Sequence, residues 1–172
     1  VFYLRCTKKL LKRFAEPPAS EPCAPTTLLG DWYANIVFAK PQQLVVCISE
    51  RTLLPVVVPA KHMHGLRDRL CAQLEPLLSI IGVPPSAIAQ ELARMQEHRI
   101  APTANRSTLG SLNEAIHHLS WSLGGHPGRS LLEHALRLAD IPNAPTEYAD
   151  AATATRALFM ANEVIDAASV RS

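Results

Sequence analysis

Apolar and polar positions alternate through the first six residues, VFYLRC. Phe2, Leu4 and Cys6 point one way and Tyr3 and Arg5 the other, which predicts a half-buried strand. Thr7 then stands where it can cap a short helix, TKKLLKRF, with Leu10, Leu11 and Phe14 on one side and Lys8, Lys9, Lys12 and Arg13 on the other. The prolines between Glu16 and Thr27 forbid a helix and predict an extended loop. From Trp32 to Ala39 and from Gln43 to Ser49 the strand formers return, and their closeness predicts an antiparallel hairpin. Leu53 to Val58 reads as a third strand of this meander, with Pro55 placing it at an edge.

After that the apolar spacing lengthens to three and four. Leu66, Leu70, Leu74, Leu77 and Leu78 define a helix to Ile81, which Pro76 is expected to kink or split. Ser86 is expected to cap a second helix, SAIAQELARMQ, with Ile88, Leu92 and Met95 turned inward. His98 to Thr103 reads as one more strand. Ser107 is expected to cap the next helix, which Gly124 and Gly125 end. Two further helices are expected at roughly 130–139 and 146–168. The sum is an α+β fold: a small, mostly antiparallel sheet packed on one face against helices, with a helical C-terminal extension.

The helix after Ser107 has two stripes. Leu109, Leu112, Ile116, Leu119 and Leu123 make the core face, while Gly110, Glu114, His117 and Trp121 align on the opposite side. We expect the C-terminal helices to cover this second stripe, with Gly110 allowing a close approach. A homodimer seam and a ligand face are the other two readings.

Charge divides the chain. Residues 126–172 hold four basic and six acidic residues, leaving thirteen and nine for residues 1–125. We therefore expect a core over residues 1–125 and an extension over 126–172. A net charge of +2 argues against a strongly polyanion-seeking protein, yet Arg5, Lys8, Lys9, Lys12 and Arg13 concentrate positive charge where a nucleic acid could bind. With 48% apolar and 19% charged residues, the 172-residue chain has the makings of a core. The longest apolar run, Leu53 to Ala60, is too short to cross a membrane, and Arg5, Lys8 and Lys9 interrupt any signal peptide. Cys6, Cys23, Cys47 and Cys71 form no CxxC pair, so reduced thiols in the cytoplasm are expected.

Candidate chemistry is sparse. Asn105, Arg106 and Ser107 stand at a helix start, where they could hold a phosphate or carboxylate with help from Lys8 and Lys9. The structural alternative is a capped helix with Arg106 paired to Asp31. Asn113 is placed to bond a neighbouring strand, and Gly30 to supply a turn that suits glycine. The seven histidines lack the spacing of a zinc site, and no phosphate-loop, dinucleotide or nucleophile-elbow motif is present. We expect no catalytic residue, metal or cofactor.

RCTKKLL (Arg5 to Leu11), LLGDWYAN (Leu28 to Asn35) and NRSTLGSLNE (Asn105 to Glu114) together resemble the motifs of an uncharacterised bacterial family of unknown function. The resemblance spans about residues 2 to 123 and implies that the Pro-rich loop and the helices beyond 125 are additions to the family core; Glu114 stands where Asp is common. It carries no activity. The expected function is a cytosolic binding or interaction protein whose partner is a protein or a second copy, one form being a regulator of a neighbouring gene's product such as a toxin. The alternative is an enzyme or binder acting on a phosphorylated ligand or nucleic acid through the NRS helix start.

Overall fold

The computed structural model describes residues 1–19, 23–143 and 149–169, with side chains as far as 165. Strands β1 (Phe2–Cys6), β2 (Trp32–Ala39), β3 (Gln42–Ser49), β4 (Pro55–Pro59) and β5 (His98–Pro102) form one sheet in the order β4-β3-β2-β1-β5. The expected meander is there, and most paired positions are antiparallel: Trp32 lies opposite Ser49, and Ile48 opposite Pro55. β1 is different, because it runs parallel to both of its neighbours, with Arg5 beside Tyr33 on one side and Ala101 on the other. A parallel neighbour requires a crossover. The Pro-rich loop supplies one on the way to β2, and helices α2 (Leu66–Ile80) and α3 (Pro85–Arg94) supply the other on the way to β5.

Alternation along each strand divides the core in two. Phe2, Leu4, Trp32, Ala34, Val45, Cys47 and Val56 face one side, where Leu10 of α1 (Lys8–Leu11), the leucines of α2 and Ile88 of α3 cover them. Tyr33, Leu44, Val46, Ile48 and Val57 face the other side, under Leu112 and Leu119 of α4 (Arg106–Gly125) and Ala135 and Leu138 of α5 (Leu131–Ala139). Helices therefore cover both faces, not one. The reason is in β3, where every residue from Leu44 to Ser49 is buried, so neither side of the sheet centre can meet water.

α5 packs along the outer strand β4 and closes that sheet edge. α6 (Ala151–Ser169) returns Ala152 and Phe159 to the first core, and Thr155 Oγ1 donates to Thr52 Oγ1 at 2.8 Å. The chain beyond 125 is thus in contact with the sheet and with α2 and α4. The expected start of the last helix at Thr146 lies outside the described residues.

Three local expectations change. α2 is one helix with Pro76 inside it; the carbonyl that Pro76 leaves unpaired belongs to Ala72, which is exposed and so open to water. α3 starts with Pro85 in its first turn, so Ser86 is not its cap. Thr7 does not cap α1 through its side chain, because its hydroxyl donates to Asn35 Oδ1 at 2.7 Å instead. Gly30 does supply a turn, at φ +79°, and a Cβ there would meet Arg51 Cγ at 3.2 Å.

Candidate interaction face

The three motif segments converge, and they bond mainly to one another. Arg5 Nε donates to Asp31 Oδ2 at 2.7 Å, and Tyr3 N donates to Asp31 Oδ1 at 2.9 Å. Thr7 reaches Asn35. Asn105 N donates to the Tyr33 hydroxyl at 3.0 Å. Burial raises the Tyr33 phenol above its ordinary range, which keeps it a neutral hydroxyl. RCT, GDWYAN and NRS are therefore stitched through Arg5–Asp31, Thr7–Asn35 and Tyr33–Asn105.

This stitching corrects the anion reading. Asp31 is paired with Arg5 and not with Arg106, whose exposed side chain has no partner among the described residues. The cap of α4 is Asn105, not Ser107: its Oδ1 accepts from Ser107 N at 2.9 Å and Thr108 N at 3.2 Å. Two of the amides that a phosphate would need are already satisfied. Asn113 is exposed and lines a cavity with Leu53 and Pro55. Lys8 and Lys9 sit on α1, which packs on the first face of the sheet, whereas α4 packs on the second. The structure divides the five candidate anion ligands between two places.

The basic surface also changes membership. Arg5 leaves it, being held by Asp31 with only 18% of its side chain exposed. Lys8, Lys9, Lys12 and Arg13 remain exposed, and the tip of the β2–β3 hairpin joins them. Lys9 Nζ lies 4.3 Å from the centre of the Phe38 ring, Arg13 Nη2 donates to Gln43 Oε1 at 3.3 Å, and Lys40 is exposed in the turn between β2 and β3. Residues 1–15 and 32–49 contain no acidic side chain.

The outer stripe of α4 is where the structure departs most from expectation. The leucine stripe is buried against the sheet as read, but the C-terminal helices do not cover the opposite side. Gly110, Glu114, His117 and Trp121 are all exposed, Trp121 by 73%, and nothing lies within 4 Å of a Cβ built on Gly110. α5 packs on the flank of α4 instead, because its own apolar face is drawn to the edge of β4.

Trp121 is nevertheless held. Its Nε1 donates to His117 Nε2 at 3.2 Å, and the two rings meet edge to face at 6.3 Å. An indole N–H can only donate, so His117 Nε2 is the acceptor of this bond. Glu114, His117 and His118 line a cavity of about 580 Å³ that Leu53, Leu138 and Asn143 close from the side. The stripe therefore offers an aromatic ring, an imidazole, a carboxylate and a bare glycine in one line.

Two features carry no motif signal. Glu91 is fully buried, and its carboxylate accepts from Leu28 N at 2.7 Å and Leu29 N at 2.9 Å, holding the turn that leads into GDWYAN. His134 on α5 is also fully buried, with Nδ1 2.8 Å from Ser122 Oγ on α4; burial and the charge of Arg129 keep it neutral. Glu91 could have been found, since it falls on the inward stripe of α3 between Ile88 and Met95.

All four cysteines are unpaired, and burial pushes the Cys47 thiol up to about 12, which leaves it unreactive. Among the described residues no group of three or more His, Cys, Asp or Glu is placed to hold a metal ion, and no helix is long and apolar enough to cross a membrane. Residues 3–154 match the model of a family described as a domain of unknown function (DUF6933). Neither a curated protein nor a solved structure matches the chain.

Proposed function

We propose that this chain, which belongs to the DUF6933 family over residues 3–154, is a protein-binding module whose recognition face is the outer stripe of α4. The observation that carries the reading is Trp121, 73% exposed and yet pinned by His117. A large aromatic fixed in water is a pre-organised anchor: little side-chain entropy remains to be lost on binding, and its ring is a large share of a contact. The motif residues favour this reading by exclusion, because Arg5, Asp31, Asn35, Tyr33 and Asn105 are bonded among themselves. Unpaired cysteines are in keeping with a cytoplasmic setting. Regulation of a neighbouring gene's product, such as a toxin, is the finer form of the reading. A photoreactive side chain at exposed position 120, beside Trp121, is expected to give a protein adduct in cells, and one at exposed Ile80 is not.

A second reading belongs to the other face of the sheet. Lys9 lies over exposed Phe38, and Lys8, Lys12, Arg13 and Lys40 are exposed on the same two segments, which pairs cations for phosphates with a ring on which a base can stack. It predicts that the chain binds a labelled oligothymidine at low salt. Reversing Lys9 and Lys12 to glutamate should weaken that binding at least about tenfold, given the counterion release each lysine contributes. Binding that ignores the double reversal, or no binding at all, removes this reading.

A further inference from the structure

Where α4 ends, the chain turns through His126 to Ser130, and α5 then packs beside α4. A cavity of about 460 Å³ lies between the two, lined in part by Trp121, Ser122, His126, Arg129, Arg137 and Asp140. Among the described residues, neither arginine side chain forms an ion pair or a hydrogen bond, with Asp140 or with any other group. Arg129 Nη1 is closed off from water and has no acceptor. A second orphan stands behind the cavity wall. Ser122 Oγ lies 2.8 Å from Nδ1 of His134, which is fully buried, and His134 Nε2 is left without a partner. After burial itself, the charges of Arg129, His126 and Arg137 all act to hold the His134 ring neutral, so the cations of this wall converge on one spot. A guanidinium drawn partly out of water without a counter-charge is costly. An oxyanion in the cavity supplies that counter-charge.

We propose that this cavity binds a phosphate monoester of a small molecule, with Arg129 and Arg137 on the phosphate and the Trp121 ring against the organic part. Guanidinium forks match the oxygens of a phosphate. With the imidazoles of His118 and His126 on the same wall, the N–H groups outnumber what the two oxygens of a carboxylate take up and suit the three terminal oxygens of a phosphate ester. Asp140 offsets one of the two permanent positive charges, and the second is left for the ligand. The indole of Trp121 gives a flat group a face to stack on. The volume is in the range that holds a ligand of nucleotide size. This site does not depend on a protein partner at the outer stripe of α4. It is also separate from the basic surface of α1, which packs on the other face of the sheet.

The two tryptophans of the chain provide the test, because Trp121 lines the cavity and Trp32 is fully buried in the first core. Adenosine monophosphate, titrated at constant ionic strength, is expected to shift the indole N–H resonance of Trp121 saturably and to leave that of Trp32 in place. Arg129→Ala and Arg137→Ala should each weaken this binding at least about tenfold, the loss expected for a hydrogen bond to a charged group. Arg137 is exposed and unbonded, so Arg137→Ala reads the site even where Arg129→Ala loses its fold. Arg106→Ala removes an exposed cation from the opposite end of α4 and should change nothing. Adenosine without its phosphate should not bind, and inorganic phosphate should bind more weakly than the monophosphate. The absence of a saturable shift at millimolar adenosine monophosphate overturns the proposal. So does a shift that both arginine variants leave intact, or one that adenosine reproduces. Inorganic phosphate binding as tightly as the monophosphate overturns the ester in favour of the free ion.

Discussion

Asp31→Ala is expected to lower folding stability by about 3 kcal/mol, measured by urea unfolding with a two-state fit. Asp31 is 2% exposed and accepts two bonds, from Tyr3 N and Arg5 Nε. Alanine leaves a buried backbone donor without an acceptor, and it leaves a guanidinium with 18% exposure without its counter-charge. The second loss is moderated by the water that reaches Arg5, which keeps the estimate at the low end of the range for a broken buried pair. Asp31→Asn is expected to cost less, since the amide oxygen can still accept from Tyr3 N. Arg106→Ala is expected to leave stability within about 0.5 kcal/mol, as for other exposed substitutions. Equal losses from Asp31→Ala and Arg106→Ala would contradict the assignment of Arg5 as the partner.

Glu91→Ala is expected to cost a similar amount, again about 3 kcal/mol, because two backbone amides of the Leu28–Leu29 turn lose a charged acceptor inside the core. It also carries a pH signature. Burial raises the Glu91 carboxyl above its ordinary value of 4.5, against the opposing pull of the two amides. A raised carboxyl binds its proton more tightly folded than unfolded. Its contribution to stability is therefore full below the ordinary carboxyl range and is lost as pH rises from there through the folded value. Glu91→Gln, which cannot titrate, should flatten that part of the stability profile. A profile with the wild-type slope would place the titration on another group.

The elements of this fold are readable in the sequence because each has a strong local period. The alternation in VFYLRC and in Trp32 to Ser49, and the leucine spacing of α2 and α4, mark strands and helices within a residue or two of their observed ends. Pairing between distant segments is not local. β1 joins the sheet by parallel pairing on both sides, and that register brings Arg5 beside Tyr33 and within reach of Asp31. Read along the chain alone, Arg106 was as good a partner for Asp31. The cap of α4 lies two residues before the expected Ser107 for a related reason, since both Asn105 and Ser107 are good caps and Asn105 is also tied by its N–H to the distant Tyr33 hydroxyl.

The outer stripe of α4 shows the same limit from the other side. Its alignment is plain in the sequence, and an aromatic in line with a histidine and a glycine invites a covering element. The chain supplies one of the right kind in α5, but α5 carries Ala135 and Leu138 toward the sheet and is committed to the edge of β4. Amphipathicity says that a face wants cover; it does not say which of two exposed surfaces a later helix will choose.

The claim on which the account rests is that this stripe is covered in the working protein. It is tested most directly by replacing exposed Ser120, beside Trp121, with a photoreactive phenylalanine analogue in the full chain, irradiating cells, and weighing the products. The account predicts adducts from position 120 and none of these from the same analogue at Ile80. A protein that crosses the gel at its own mass from both positions, or that gives the same adducts from both, contradicts it.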